Sequence, residues 1–203
     1  PIVDFLVNKN INYTLGSENN LISRYWIAAN TTKADYIVRI TADCPFVEPT
    51  IIDFMLDKML SSDIDLITNV IPPSWPDGLD INIFTYKTLK LAFKEAKLDS
   101  EREHVVPWMW NNSNLNNKNT LKAFNFLAPM DISQYRWTLD TEEDYNFFSL
   151  TAKKLSWKNL VNMSWKDFLS FYNTNQEILL VNNKIHRDEG YKNSLEKDKI
   201  LEV

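Results

Sequence analysis

Apolar residues recur along this chain with two different periods, and the switching between them predicts strands interleaved with helices. Tyr36-Ile-Val-Arg-Ile-Thr-Ala-Asp43 is a largely apolar run that stops at a carboxylate, and Pro45 then forbids continued pairing. It predicts a buried strand ending at Asp43. Tyr135-Arg-Trp-Thr-Leu-Asp140 repeats the pattern and predicts a second such strand. Shorter strands are expected at Asn12–Leu15, Asp65–Val70 and Leu121–Leu127. Another is expected where Leu79, Ile81 and Ile83 alternate with Asp80 and Asn82, giving one apolar and one polar face.

Between these runs lie helical stripes: Leu21, Ile22, Tyr25, Trp26 and Ala29; Ile52, Met55, Leu56, Met59 and Leu60 behind Pro49; Leu89, Ala92, Phe93 and Ala96. Beyond Ala152 the pattern stays helical, through Trp165, Phe168, Leu169 and Tyr172 to Ile178, Leu179 and Val181. Ile2, Val3, Phe5 and Leu6 already stand at helical spacing, as though a helix had been entered partway. Ser17 after Gly16 offers an N-cap, as does Asp99 or Ser100 ahead of Arg102-Glu-His-Val105. Thr141 with Asp144 makes a capping box, so Glu142, Glu143 and Asp144 read as helix-start charges. Strands alternating with helices argue for a three-layer α/β domain around a mostly parallel sheet, spanning residues 1–203 as one domain.

Two loops and a tail complete the outline. Ile71 to Gly78 carries three prolines and suits a lid or substrate wall, or simply a Pro-Asp-Gly turn. The asparagine-rich stretch 111–119 is expected as an exposed loop, and 183–203 as a charged tail on the surface.

Composition narrows the function classes. A net charge of -5 with dispersed Lys and Arg offers no basic stripe for a phosphate backbone, which argues against nucleic acid. A single cysteine, Cys44, excludes a disulfide framework and fits a reducing, cytoplasmic setting. No apolar run approaches the roughly 20 residues needed to span a bilayer. With three glycines there is no Gly-rich phosphate loop.

The chemistry is carried by carboxylates at strand ends. In open α/β sheets ligands bind beyond the carboxyl ends of the strands, so Asp43 and Asp140 are aimed at one crevice and suggest a divalent cation between them. The alternative is that each is only a turn former or cap. Arg102 is a natural fork for a carboxylate or phosphate and His104 titrates near neutrality, so the pair could hold an acidic sugar.

At these residues the chain resembles a known family. Arg39-Ile-Thr-Ala-Asp-Cys-Pro45, Pro76-Asp-Gly-Leu-Asp80, Arg102-Glu-His-Val105, Arg136-Trp-Thr-Leu-Asp-Thr-Glu-Glu-Asp-Tyr145 and Asp188-Glu-Gly-Tyr191 occur in the order seen in the SpsF-type spore-coat polysaccharide cytidylyltransferases, relatives of the acylneuraminate and Kdo cytidylyltransferases. The resemblance implies a Rossmann-like nucleotide-diphospho-sugar transferase fold. Nothing here matches that family's first strand and its Ser, Arg, Pro and Lys nucleotide loop, so a missing N-terminal segment and an inactive fragment are expected. The implied activity is transfer of CMP from CTP to a sugar acid or related sugar for cell-surface polysaccharide. Asp43 and Asp140 would be the catalytic Mg²⁺ ligands, and Arg39, Asp77, Gly78, Asp80, Arg102, His104 and Arg136 would surround the substrates. The tail leaves room for a homodimer. Where the family usually has Glu, this chain has Asn82. The rival readings are a glycosyltransferase using a nucleotide sugar, disfavoured by Asp43-Cys44-Pro45 in place of Asp-x-Asp, and a degenerate, non-catalytic subunit.

Overall fold

A computed structural model describes residues 1–160 and 162–198. In chain order the elements are α1 (Ile2–Asn8), α2 (Leu21–Thr32), β1 (Tyr36–Arg39), α3 (Pro49–Leu60), β2 (Leu66–Thr68), β3 (Asn82–Thr85), α4 (Tyr86–Glu95), α5 (Asp99–His104) and α6 (Pro107–Asn111). A short 3-10 turn at Asn114–Asn116 precedes β4 (Ala123–Asn125), and α7 (Glu142–Leu155), α8 (Trp157–Leu160), α9 (Trp165–Thr174), α10 (Gln176–Leu179) and α11 (Glu189–Glu196) follow. The strands form one sheet in the order β1-β3-β2-β4. Non-consecutive neighbours with helical crossovers make this an α/β protein. The chain divides into two compact units, one of Pro1–Ile37, Phe84–Ala123 and Gly190–Val203, the other of Val38–Ile83 and Phe124–Glu189.

In the first unit, the apolar stripe of α2 meets α4. Trp26 stacks between Tyr86 and Phe93, with ring centroids 5.2 and 5.1 Å away. The predicted strand at Asn12–Leu15 is absent: Tyr13 and Leu15 are exposed, and an isolated extended segment without a ladder partner is not a strand. Asn20, not Ser17, caps α2 by accepting from the Ser23 amide. Helix α5 begins at Asp99, with Leu98 rather than Asp99 or Ser100 at the cap position. The Glu101 carboxylate accepts from the Lys97 and Leu98 amides at 3.0 and 3.2 Å. The tail is not simply a solvated extension. Asp198 accepts from the amide and hydroxyl of Ser100, both at 2.7 Å, and so satisfies the start of α5. The asparagine-rich stretch is also partly built in, since Asn114 bonds both the amide and the carbonyl of Ala123 as a strand neighbour would.

The second unit contains the larger apolar core, in which Met55, Ile67, Ile81, Ile83, Trp137, Phe147 and Tyr172 are essentially inaccessible. Pro at the first position of α3 satisfies the expectation for a helix start, but the buried stripe is Ile51, Met55 and Met59, and Leu60 is exposed. Strand β1 ends at Arg39 and alternates exposed with half-buried positions. It is an outer strand in the order above, not a buried one, and Asp43 falls in the turn beyond it. Strands β2 and β4 are shorter than their apolar runs. Asn82 does not face a site: it is 1% exposed and accepts from the Thr68 hydroxyl at 2.8 Å, joining β2 to β3. Its neighbour Asn69 bonds the Leu79 carbonyl and the Ile81 amide. The loop from Ile71 to Gly78 is packed against the second unit's core, since Trp75 is buried and its indole N–H donates to the Phe126 carbonyl at 2.8 Å.

Candidate active site

The segment Tyr135–Asp140 is not a strand; it is extended backbone with one bridge, between Arg136 and Asp77. Its partner is a turn rather than another strand, which is why no ladder develops. The Tyr135 carbonyl accepts from the Asp77 amide at 3.0 Å, and the Trp137 amide donates to the Asp77 carbonyl at 2.6 Å. Two residues on, the Leu139 amide donates to the Asp43 carbonyl at 2.8 Å. Backbone pairing therefore brings Asp43 alongside Asp140. Trp137 and Thr138 are buried, whereas Leu139 and Asp140 are exposed, so the segment leaves the core between Thr138 and Leu139.

Gly78 makes this apposition feasible. Its φ is +107°, and a Cβ there would lie 2.4 Å from the Trp137 carbonyl carbon and oxygen. Only glycine combines that conformation with so close an approach.

Asp144 secures the same segment from the start of α7. Its carboxylate accepts from Arg136 Nε at 2.9 Å and Nη2 at 2.8 Å, from Asn182 Nδ2 at 2.8 Å, and from the Asp140 and Thr141 amides, each at 3.1 Å. Burial alone would raise its pKa, but these bonds together hold it below the usual carboxylate range. The remaining arm of Arg136, Nη1, donates to Asp77 Oδ2 at 2.7 Å. Arg136 is thus occupied by two carboxylates, and its side chain is 11% exposed.

Arg187 makes a second clamp. Nη1 donates to the Trp75 carbonyl at 3.0 Å, and Nη2 is paired with Asp80 Oδ1. Burial pushes the Asp80 carboxyl up to about 7, against the pull of Arg187 and with further pushes from Asp77 and Asp188. Asp77 is raised as well, by burial first, with Arg187 and Arg136 opposing and Asp188 and Asp43 contributing. Cys44 is no nucleophile: burial drives its thiol up to about 12, and it lies within hydrogen-bond reach of Thr41.

This end of the second unit gathers Asp43, Asp77, Asp80, Asp140, Asp144 and Asp188, with Arg136 and Arg187 among them. The guanidinium groups account for Asp77, Asp80 and Asp144, whereas Asp43 and Asp140 have no ion-pair partner among the described residues. Two carboxylates without ion-pair partners, on backbone segments that are hydrogen-bonded to each other, have the chemistry to suit a hard divalent cation, which takes few protein oxygens and keeps water or substrate oxygens besides. Among the described residues no group of three or more His, Cys, Asp or Glu side chains converges as a metal cluster, so the pair stands as a two-carboxylate set.

The other expected site residues are distributed as follows. Arg39 ends β1 in the second unit, half-buried and without an ion pair among the described residues. Arg102 and His104 belong to the first unit, on α5. Arg102 Nε is buried with no hydrogen-bond partner among the described residues. His104 Nε2 is 3.0 Å from the Ser194 hydroxyl, and its ring meets Tyr191 edge-on at 5.1 Å. Sequence reasoning missed Asn182 and Arg187. Their only signal was their nearness to Asp188-Glu-Gly-Tyr191, and each sits in a polar stretch without periodicity.

Comparison with known proteins gives this arrangement a class. A cytidylyltransferase from Leptospira borgpetersenii serovar Hardjo-bovis superposes with a TM-score of 0.78 at 32% identity, over 88% of this chain and 72% of that one. The fold is that of a cytidylyltransferase, Rossmann-like and α/β. The spore coat polysaccharide biosynthesis protein SpsF of Bacillus subtilis is 30% identical over 142 residues, covering 68% of this chain and 56% of SpsF. An uncharacterized protein of Methanocaldococcus jannaschii is 29% identical over 195 residues, covering 94% of this chain and 74% of the relative. No protein-family model matches the chain. The chain belongs to the SpsF-type cytidylyltransferase family. No helix among the described residues is long and apolar enough to cross a membrane.

Proposed function

We propose that this protein transfers CMP from CTP to a hydroxyl of a sugar acid or related sugar, with release of pyrophosphate, in the assembly of cell-surface polysaccharide. The observation that supports this reading is the bond from the Leu139 amide to the Asp43 carbonyl, which joins the backbone at Asp43 to the segment carrying Asp140, while neither carboxylate has an ion-pair partner among the described residues.

Asp43 and Asp140 would hold Mg²⁺, and the bound ion would supply the positive charge that a triphosphate and its departing pyrophosphate require. The chain's own residues do the positioning. Arg136 and Asp144 hold the Asp140 segment in register. The turn from Trp75 to Asp80 presents the Asp80 carboxylate to the acceptor, whose hydroxyls are hydrogen-bond donors to it. Arg39 offers a guanidinium to an anionic group. In the first unit, Arg102 has a buried Nε with no hydrogen-bond partner among the described residues, a donor that a carboxylate or hydroxyl oxygen of a ligand would satisfy. His104, on the same helix, has a ring that can donate or accept.

Pyrophosphate release by the full natural protein tests this. The assay runs over the four ribonucleoside triphosphates and a panel of Kdo, N-acetylneuraminate and neutral sugars, with and without Mg²⁺. Turnover should require CTP, Mg²⁺ and an acceptor. Preference for another triphosphate, or turnover of a finished nucleotide sugar in place of CTP, would contradict the reading.

A further inference from the structure

Arg187 lies in a polar stretch that sequence marks as surface, yet its side chain is only 14% exposed. The chain bends there: Asp188 has a φ of +60°, a left-handed conformation that Asp tolerates better than most residues. That bend accompanies an inward Arg187, whose guanidinium reaches the Trp75 carbonyl and the Asp80 carboxylate, while the Asp188 carboxylate stays 4.0 Å from Nε. A few residues earlier, Asn182 is 3% exposed and donates to the Arg136 carbonyl at 3.2 Å and to Asp144 at 2.8 Å. The segment after α10 is therefore stitched at two points to the residues that build the candidate site.

The two arginines act on one turn. Arg136 holds its middle at Asp77, and Arg187 holds its two ends at Trp75 and Asp80. Without Arg187 the Asp80 carboxylate would face the charges of Asp77 and Asp188 with no cation of its own, and like charges at short range would turn it away. Asp80 keeps 21% of its side-chain surface, so it is anchored without being sealed off.

We propose that Arg187 is a positioning residue of the acceptor wall: it fixes the turn from Trp75 to Asp80 and aims the Asp80 carboxylate at an acceptor hydroxyl. The proposal rests on the transferase reading above. Arg187 touches neither reacting group; it acts through Asp80 and the Trp75 carbonyl. The planar fork is what serves two acceptors at once, which an ammonium cannot reproduce.

The test uses the full natural protein and the variants Arg187→Gln, Arg187→Lys and Asp80→Asn, with Kdo and N-acetylneuraminate as acceptors. Amide hydrogen exchange gives a readout independent of turnover. Arg187→Gln should speed exchange at Trp75 to Asp80 by at least tenfold, leaving the core around Trp137 protected. It should raise the acceptor KM about tenfold or more, with kcat and the CTP KM within twofold of the parent. Arg187→Lys should fall between parent and Gln. Adding Asp80→Asn to Arg187→Gln should change the acceptor KM less than twofold, since residues acting as a unit are non-additive. Unchanged exchange over the turn would overturn the anchoring. A fall in kcat alone, or an equal rise in both KM values, would overturn the acceptor role and leave Arg187 structural. If the parent turns over no sugar of the panel given above, neutral sugars included, the transferase reading fails, and exchange alone then decides whether Arg187 is the anchor.

Discussion

Asp140 and Asp144 flank the start of the same helix, four positions apart, and have opposite fates. Asp144 is inaccessible, accepts from Arg136, Asn182 and two backbone amides, and is held ionised by those bonds. Asp140 is exposed, and only its backbone amide is engaged, by Asp144 itself. One carboxylate is consumed in building the segment, and the other is carried on it. Charge alone does not separate a structural acid from a functional one; the number of donors aimed at it does.

The largest effect expected from this contrast is on Asp144. Asp144→Ala leaves the half-satisfied Arg136 buried and should cost about 3–5 kcal/mol in denaturant unfolding, the usual range for breaking a buried pair. An unfolding midpoint equal to the parent's would break the comparison. The pH dependence has a definite sign. Because the folded pKa of Asp144 lies below its unfolded value, its stabilisation is complete above roughly pH 4 and is lost as pH falls through the folded pKa. Asp144→Asn should flatten that acid limb.

Gly78→Ala comes next. Positive φ and the 2.4 Å approach to Trp137 both oppose a side chain, and about 1–3 kcal/mol of strain is expected, measured as a shift in thermal midpoint. A neutral outcome would mean that the turn can withdraw from Trp137 without cost.

Asp80 has the reverse sign from Asp144. Its folded pKa is raised to about 7, so between roughly pH 4 and 7 the native state binds more protons than the unfolded one, and stability declines as pH rises through that window. Asp80→Asn should remove this decline, as followed by unfolding at several pH values. An unchanged slope would place its source elsewhere.

The smallest effect on stability is expected at Asp43 and Asp140. Asp→Asn at either exposed or half-buried carboxylate should shift unfolding by no more than about 0.5 kcal/mol.

The sequence made several of these features legible in physical terms. Helical stripes survived where a period-3.6 pattern fixes a face, as in α4 and α9, whereas in α3 the buried stripe is shifted to Ile51, Met55 and Met59. The Thr141 capping box was readable because both its partners are local in sequence. The relation of Asp43 to Asp140 was legible only as matched settings, and the strands proposed to end in them proved shorter or absent. Apolar runs do not reveal which segments find a ladder partner, which is why Asn12–Leu15 and Tyr135–Asp140 have the pattern of strands without forming them. Nothing local to Arg136 shows that Asp77 and Asp144 converge on it, so its sequence context points only to a substrate contact. Arg187 and Asn182 were invisible for the same reason: their partners are remote, and their own neighbourhood is polar and aperiodic. Long-range polar pairing was what sequence could not supply.

The central claim is that Asp43 and Asp140 share one divalent cation. Titration of the full natural protein with Mn²⁺, followed by electron paramagnetic resonance of the free ion in the presence of CTP, tests it most directly. The parent should bind one ion that Mg²⁺ displaces, while Asp43→Asn, Asp140→Asn and the double variant should each weaken that binding to a similar degree while remaining folded. Undiminished Mn²⁺ binding in both single variants would show that the cation sits elsewhere and would contradict the account.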